Sequence, residues 1–150
     1  MSLQEVEVIK SHVLRAMLVG SRVTCNPPAV GTDQDVLVLV KYIEGTANAL
    51  DSSPEAWREV DAMHRDLRHS GWLLGGSGDH DDDFESWTHG DVNLILTDSE
   101  EFYSLFVCAT ALCKKLNIMD KEDRKAVFRS VLYKEHCAYL DERGQVEVPF

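Results

Sequence analysis

Positive charge is scarce in this 150-residue chain. Fifteen lysines and arginines (15) stand against 26 aspartates and glutamates, for a net charge of −11. So acidic a surface repels a phosphate backbone unless its few cations gather on one face. A long nucleic acid is therefore not expected as the main partner. A small anionic ligand is still open, because metal ions and backbone N–H groups bind phosphate locally. Long apolar runs are missing as well. The opening stretch MSLQEVEVIKSHVLRAMLVG is interrupted by Glu5, Glu7, Lys10 and Arg15. This excludes a signal-peptide core and a membrane span there, and gives the expectation of a cytoplasmic protein, in its own cell or in an infected host. Cys25, Cys108, Cys113 and Cys137 form no C-x-x-C pair and match no Cys/His zinc spacing, so four reduced thiols are expected. GGSG at 75–78 is followed by no Gly-Lys-Ser/Thr, which excludes a phosphate loop of that type. Asp79-His80-Asp81-Asp82-Asp83 lacks the glycine and spacing of an EF-hand and reads as a solvated acidic loop. The histidines show no metalloprotease pair.

What is present is an ordinary globular composition, 44% hydrophobic and 27% charged, at a length that suits one domain over residues 1–150. Leu3, Val6 and Ile9 predict a short N-terminal helix over 3–12. VLRAMLV at 13–19 reads as a buried strand stopping at Gly20-Ser21, and the proline-bearing segment 24–32 as a loop. DVLVLVKYI at 35–43 is aliphatic almost throughout, as in a strand buried on both faces. Pro54 opens a helix that Gly71 ends, with Ala56, Val60, Met63 and Leu67 as its apolar stripe. Strand candidates follow at 72–75, 84–87 and 91–97. Thr97-Asp98-Ser99 caps a helix over 100–116 with a stripe of Phe102, Leu105, Phe106, Ala109 and Leu112. Asp120 caps a last helix through about residue 139, with Val127, Val131 and Leu132 inward. The tail GQVEVPF is either loose or an edge strand. The order predicts an α/β (α+β) domain with a small mixed sheet flanked by helices. Trp57, Trp72 and Trp87 are expected at the core or its edge.

One stretch carries chemistry. Leu18-Val19-Gly20-Ser21-Arg22 leads, through the proline loop, to Asp33-Gln34-Asp35-Val36-Leu37-Val38. Residues i and i+2 of a strand point the same way, so Asp33 and Asp35 project together from the mouth of a buried strand. Two such carboxylates repel each other unless a cation lies between them, and hard oxygen ligands suit Mg²⁺ or Mn²⁺. Glycine lets a phosphate approach the backbone, and the hydroxyl and N–H groups that follow hold its oxygens. A triphosphate pinned by Gly20 and Ser21 and bridged to metal on Asp33 and Asp35 would make a phosphoryl-transfer site.

These residues resemble the nucleotidyltransferase superfamily that includes DNA polymerase β. Its pattern of hydrophobic-Gly-Ser, a gap, and Asp-x-Asp on a hydrophobic strand is present here as VGSR…TDQDVLVLV. The resemblance extends over residues 10–97. The later stretch, WTHGDVNLILTDSEEFYSLFVCATALCKKLNIMDKEDRKAVFRSVLY, is similar to an uncharacterised phage and bacterial branch of small nucleotidyltransferase-like proteins. The resemblance implies the nucleotidyltransferase fold, a nucleoside triphosphate substrate, divalent metal, and transfer of a nucleoside monophosphate to a hydroxyl of a protein, an RNA end or a small molecule, with pyrophosphate released. It also implies a third carboxylate on a neighbouring strand. Asn93 occupies that position, and Asp91 is two residues earlier on the same face. Asn is a weaker ligand and a poor base. The implied site is thus Asp33, Asp35 and Asp91 for metal, Asp91 or Asn93 completing the chemistry, and Gly20, Ser21 and Arg22 for the phosphates.

Three readings stay open: an enzyme, a degenerate member that binds nucleotide or a protein partner without turnover, and a structural or host-interaction protein. The bland alternative for Asp33 and Asp35 is a polar strand start, and for Asp91 a turn residue after Gly90. Arg22 is either a phosphate clamp or a surface ion-pair partner. Lys114 and Lys115 read as ordinary cations at a helix C-terminus.

Overall fold

The computed structural model describes residues 3–27, 33–49, 53–75 and 83–132. The acidic run 79–82, most of GGSG, Cys137, the tail and the last helix beyond Leu132 lie outside them. Among the described residues there are five strands: β1 (Val13–Val19), β2 (Gln34–Val40), β3 (Leu73–Leu74), β4 (Glu85–His89) and β5 (Val92–Thr97). They form one mixed sheet in the order β1-β2-β5-β4-β3. Only β2 and β5 run parallel. A parallel pair needs a crossover, and the chain between β2 and β5 supplies it: α2 (Glu44–Ala49), α3 (Pro54–His69) and the β3–β4 hairpin. Helices α4 (Glu100–Lys115) and α5 (Lys121–Leu132) follow β5. This is the mixed sheet with flanking helices that the element order predicts.

Alternation along β2 assigns its side chains to two cores. Val36, Val38 and Val40 pack with Leu94, Leu96 and Trp87 against Met63 and Leu67 of α3 and against Val6 and Ile9 of the N-terminal 3-10 segment Gln4–His12. Leu37 and Leu39 face the other way, with Val19 and Ile95, onto Phe102 and Tyr103 of α4. All five of these β2 side chains are fully buried, as the unbroken aliphatic run predicts. All four residues of the expected α3 stripe are buried, each large one contributing about 1.5–3 kcal/mol. Gly71 ends α3 with φ +88, a conformation L side chains rarely adopt. Ser99 accepts the Phe102 N–H at 3.1 Å and starts α4.

Four expectations need correction. β1, expected as a buried strand, lies at the edge of the sheet among the described strands, and its Leu14 is 56% exposed. The helical turn α1 (Ser21–Thr24) and α2 were not expected; both are too short to show a period. The buried face of α4 carries Phe102, Tyr103, Ala109, Thr110 and Cys113, one position round from the expected stripe, and Leu112 is exposed. In α5, Val127, Val131 and Leu132 are only half-buried.

One buried polar cluster joins the layers. Glu85, on the α3 face of β4, accepts from His64 Nε2 at 2.8 Å and Trp87 Nε1 at 2.9 Å. Its other oxygen accepts the Glu44 N–H at 2.7 Å and so anchors the start of α2. Burial by itself would raise the Glu85 pKa. The His64 bond and charge, with the Glu44 and Trp87 donors, outweigh it and leave the carboxyl below its ordinary value.

Candidate functional site

Asp35 is the second residue of β2 and points to the α4 face, ahead of Leu37 and Leu39. In register it faces Val19 of β1 on one side and Asn93 of β5 on the other. β1 ends at Gly20, where φ is +83 and ψ −173. That combination belongs to glycine almost alone. A Cβ at Gly20 would also collide with the Asp35 carboxylate, lying 2.9 Å from its Cγ and 3.0 Å from its Cβ. One missing side chain therefore permits the turn and lets backbone lie against the acid. The Gly20 carbonyl accepts the N–H groups of Val23 and Thr24, both at 3.0 Å, which folds Ser21–Thr24 into α1.

Asn93 donates Nδ2–H to Asp35 Oδ1 at 3.2 Å, and its own Oδ1 accepts the Ser86 hydroxyl at 2.8 Å. A polar chain thus crosses β4, β5 and β2 in sequence. Burial raises the pKa of Asp35. The Asn93 bond opposes this, the Asp33 charge adds to it, and Arg22 and Lys121 oppose it more weakly. Asp33, just before β2, is exposed and close enough for its charge to be felt at Asp35.

A cavity of about 410 Å³ opens at this end of the sheet. Gly20, Ser21, Asp33 and Asp35 line one side; Phe106 of α4 and Lys121, Arg124, Lys125 and Phe128 of α5 line the other. Phe106 and Phe128 meet edge to face, with ring centroids 4.9 Å apart. Arg124 is already committed: its Nη1 reaches the carbonyls of Met119 at 2.6 Å and Ile118 at 3.1 Å and the Cys25 sulfur at 3.3 Å. It positions α5 over the sheet while keeping its charge at the cavity wall.

Four of the residues singled out in the sequence thus share one cavity, and the other three, Arg22, Asp91 and Asn93, are not among the residues lining it. The Asp91 carboxylate, expected with Asp33 and Asp35 at a metal, is 73% exposed and pairs with Arg22 Nη2 at 3.5 Å. Among the described residues no three His, Cys, Asp or Glu side chains gather as a metal-binding group. Arg22 takes the ion-pair role, though its charge still reaches Asp35. Asn93 lies beside Asp35, bonded to it. Lys114 and Lys115 fall in the last turn of α4, as expected for helix-terminal cations.

The α5 cations and Phe128 were missed in the sequence. Lys121, Arg124, Lys125 and Phe128 stand at i, i+3, i+4 and i+7, one stripe of a helix. The stripe is mostly polar, so a search for apolar periodicity passes over it.

The donor set is compatible with a divalent cation. Mg²⁺ binds through one or two carboxylates and completes its shell with water and phosphate oxygens, without a cage made only of protein. Asp33 and Asp35 are two carboxylates whose mutual repulsion such an ion would relieve.

No protein-family model and no curated protein matches the chain. Among solved structures it is similar to terminal uridylyl transferase 4 from Trypanosoma brucei with bound GTP, at 16% identity and a TM-score of 0.42. The match covers 73% of this chain and 31% of that protein. No described helix is long and apolar enough to cross a membrane.

Proposed function

We propose that the cavity between the Gly20–Ser21 turn and α5 holds a nucleoside triphosphate with Mg²⁺ or Mn²⁺, and that the protein is a nucleotidyltransferase. The observation that carries this reading is the division of charge across one cavity. Two carboxylates, with glycine backbone packed against one of them, face Lys121 and Lys125 on the opposite wall. Carboxylates alone would repel a triphosphate and lysines alone would bind any anion. The combination suits a polyphosphate that brings its own cation. Asp33 and Asp35 would hold the metal, which when bound polarises a phosphoryl oxygen and neutralises developing charge. The Gly20–Ser21 turn would receive phosphate oxygens, and the lysines would balance the remaining negative charge. In the transfer, a hydroxyl oxygen of the acceptor bonds to the α-phosphorus as the bond to the β-phosphate oxygen breaks. Pyrophosphate leaves and the hydroxyl proton is lost to a base. The acceptor is a protein, an RNA end or a small molecule.

A second reading, binding without turnover, is favoured by one observation. Asn93 turns its N–H toward Asp35 and gives its oxygen to Ser86, so it offers nothing to take that proton. Titration calorimetry with a triphosphate in Mg²⁺, Mn²⁺ or EDTA tests the shared part: affinity should fall at least tenfold in EDTA, and unchanged affinity overturns the metal-dependent site. Pyrophosphate release then separates the readings. Release by wild type supports transfer. Its absence with every acceptor class, together with a trace gained by Asn93→Asp, supports binding alone.

A further inference from the structure

The proposed metal site, on which this inference rests, has a definite capacity for ions. Two ions that work as a pair lie about 3.5–4 Å apart, and a carboxylate that bridges them gives one oxygen to each. Asp35 is the half-buried acid of the site, and its two oxygens face different strands. Oδ1, on the β5 side, accepts Asn93 Nδ2–H at 3.2 Å. Oδ2, on the β1 side, is the atom nearest to where a Cβ on Gly20 would stand. The Asn93 amide is oriented from both ends, because the Ser86 hydroxyl donates to its Oδ1 at 2.8 Å. Turned over, the amide would set its oxygen against a carboxylate oxygen with no proton between them. A hydrogen-bond donor thus stands on the side of Asp35 from which a second ion would have to be held. Asp91 is engaged elsewhere, with Arg22 Nη2 at 3.5 Å. Arg22 and Lys121 also set positive charge where Asp35 feels it. One divalent ion balances the charges of Asp33 and Asp35. A second would be repelled by the first and by both cations.

We infer that Asn93, steadied by Ser86, confines the site to a single divalent ion, held by Asp33 and by Oδ2 of Asp35. Asn93 is a positioning residue in this arrangement: it acts on the ion through Asp35. An aspartate in its place would withdraw the N–H, release Oδ1 and add a negative charge, all three in favour of a second ion. With one ion only, any transfer depends on a protein base rather than on a second ion to take the acceptor's proton.

Mn²⁺ reads the count, because two such ions sharing a carboxylate couple magnetically and a lone ion does not. The full chain is titrated with Mn²⁺, alone and with inorganic tripolyphosphate, and followed by electron paramagnetic resonance. Asp35→Asn accounts for ions scattered over the acidic surface, which it leaves in place. The expected result for wild type is one ion that Asp35→Asn removes, with an uncoupled spectrum. Asn93→Asp should take a second ion about 10–100-fold more tightly than wild type does, with a spin-coupled spectrum. Its thermal unfolding in EDTA shows whether the variant is folded. Should it not fold, the wild-type spectrum still decides. A coupled pair in wild type overturns the inference and leaves the metal site standing. A folded Asn93→Asp protein that still holds one uncoupled ion overturns it as well. If wild type holds no ion sensitive to Asp35→Asn, with or without tripolyphosphate, the proposed metal site itself fails and the inference falls with it.

Discussion

Replacing Gly20 with alanine tests the tightest contact of the site. The backbone there has φ +83 and ψ −173, and holding a non-glycine residue in that region costs of order 1–3 kcal/mol. The new methyl also meets the Asp35 carboxylate, 2.9 Å from Cγ, where overpacking typically costs about 1–3 kcal/mol. Asp35 has little room to retreat, being bonded to Asn93 at 3.2 Å and held in register between Val19 and Asn93. The two costs together come to about 2–6 kcal/mol, or a melting temperature about 4–24 °C lower for a chain of this size. Thermal unfolding in EDTA measures it. A double-mutant cycle divides it: in Gly20→Ala/Asp35→Ala the carboxylate is gone and only the backbone cost and a close Cβ remain. The coupling should recover about 1–3 kcal/mol. A Gly20→Ala protein melting within about 1 °C of wild type would refute the packing of this turn. Zero coupling would refute the contact with Asp35 while leaving the backbone conformation standing.

The pKa of Asp35 is raised, so in metal-free buffer its folded form holds its proton more tightly than the unfolded chain does. Stability from this group is present below the ordinary carboxylate pKa and lost as pH rises through the raised one. Asp35→Asn should therefore melt at or above wild type at neutral pH in EDTA and lose the Mg²⁺ response; a clearly lower melting temperature marks Asp35 as structural. Glu85 has the opposite sign. Its lowered pKa gives stability present above the ordinary carboxylate value and lost as pH falls toward the folded value. Glu85→Ala leaves His64, the Trp87 N–H and the Glu44 N–H without their acceptor and should cost about 3–5 kcal/mol, a fall of about 6–20 °C; a change below about 1 kcal/mol would show that the cluster relaxes onto water.

Much of this was legible because it follows from period. The aliphatic run of β2, the stripe of α3 and the order of strands and helices are all repeats of 2 or 3.6 residues that burial imposes on sequence. The edge position of β1 was not legible: VLRAMLV is apolar enough for a sheet centre, and only the strand order reveals that among the described residues one side has no neighbouring strand. α2 escaped because its start depends on an oxygen of Glu85, 41 residues away. No local window contains that bond.

The site divides along the same line. Gly20, Ser21, Asp33 and Asp35 share one cavity, and their association was legible because the spacing within two short segments brings them together. Asp91 and Asn93 were left as alternatives because the choice depends on side-chain partners. Arg22 takes the Asp91 carboxylate, and Ser86 and Asp35 take the Asn93 amide. The opposite wall depends on a packing step still further from the motif. Arg124, bonded to the carbonyls before α5 and to Cys25 next to α1, fixes where the helix crosses the sheet. It thereby brings Lys121 and Phe128 over Asp35, some ninety residues away in sequence. In a chain with 11 more acidic than basic residues, placing three cations on one cavity wall gives a local field opposite to the net charge. An anionic ligand is repelled by most of this surface and met by positive charge there, so its association should speed up with added salt at a distance and weaken with salt once bound.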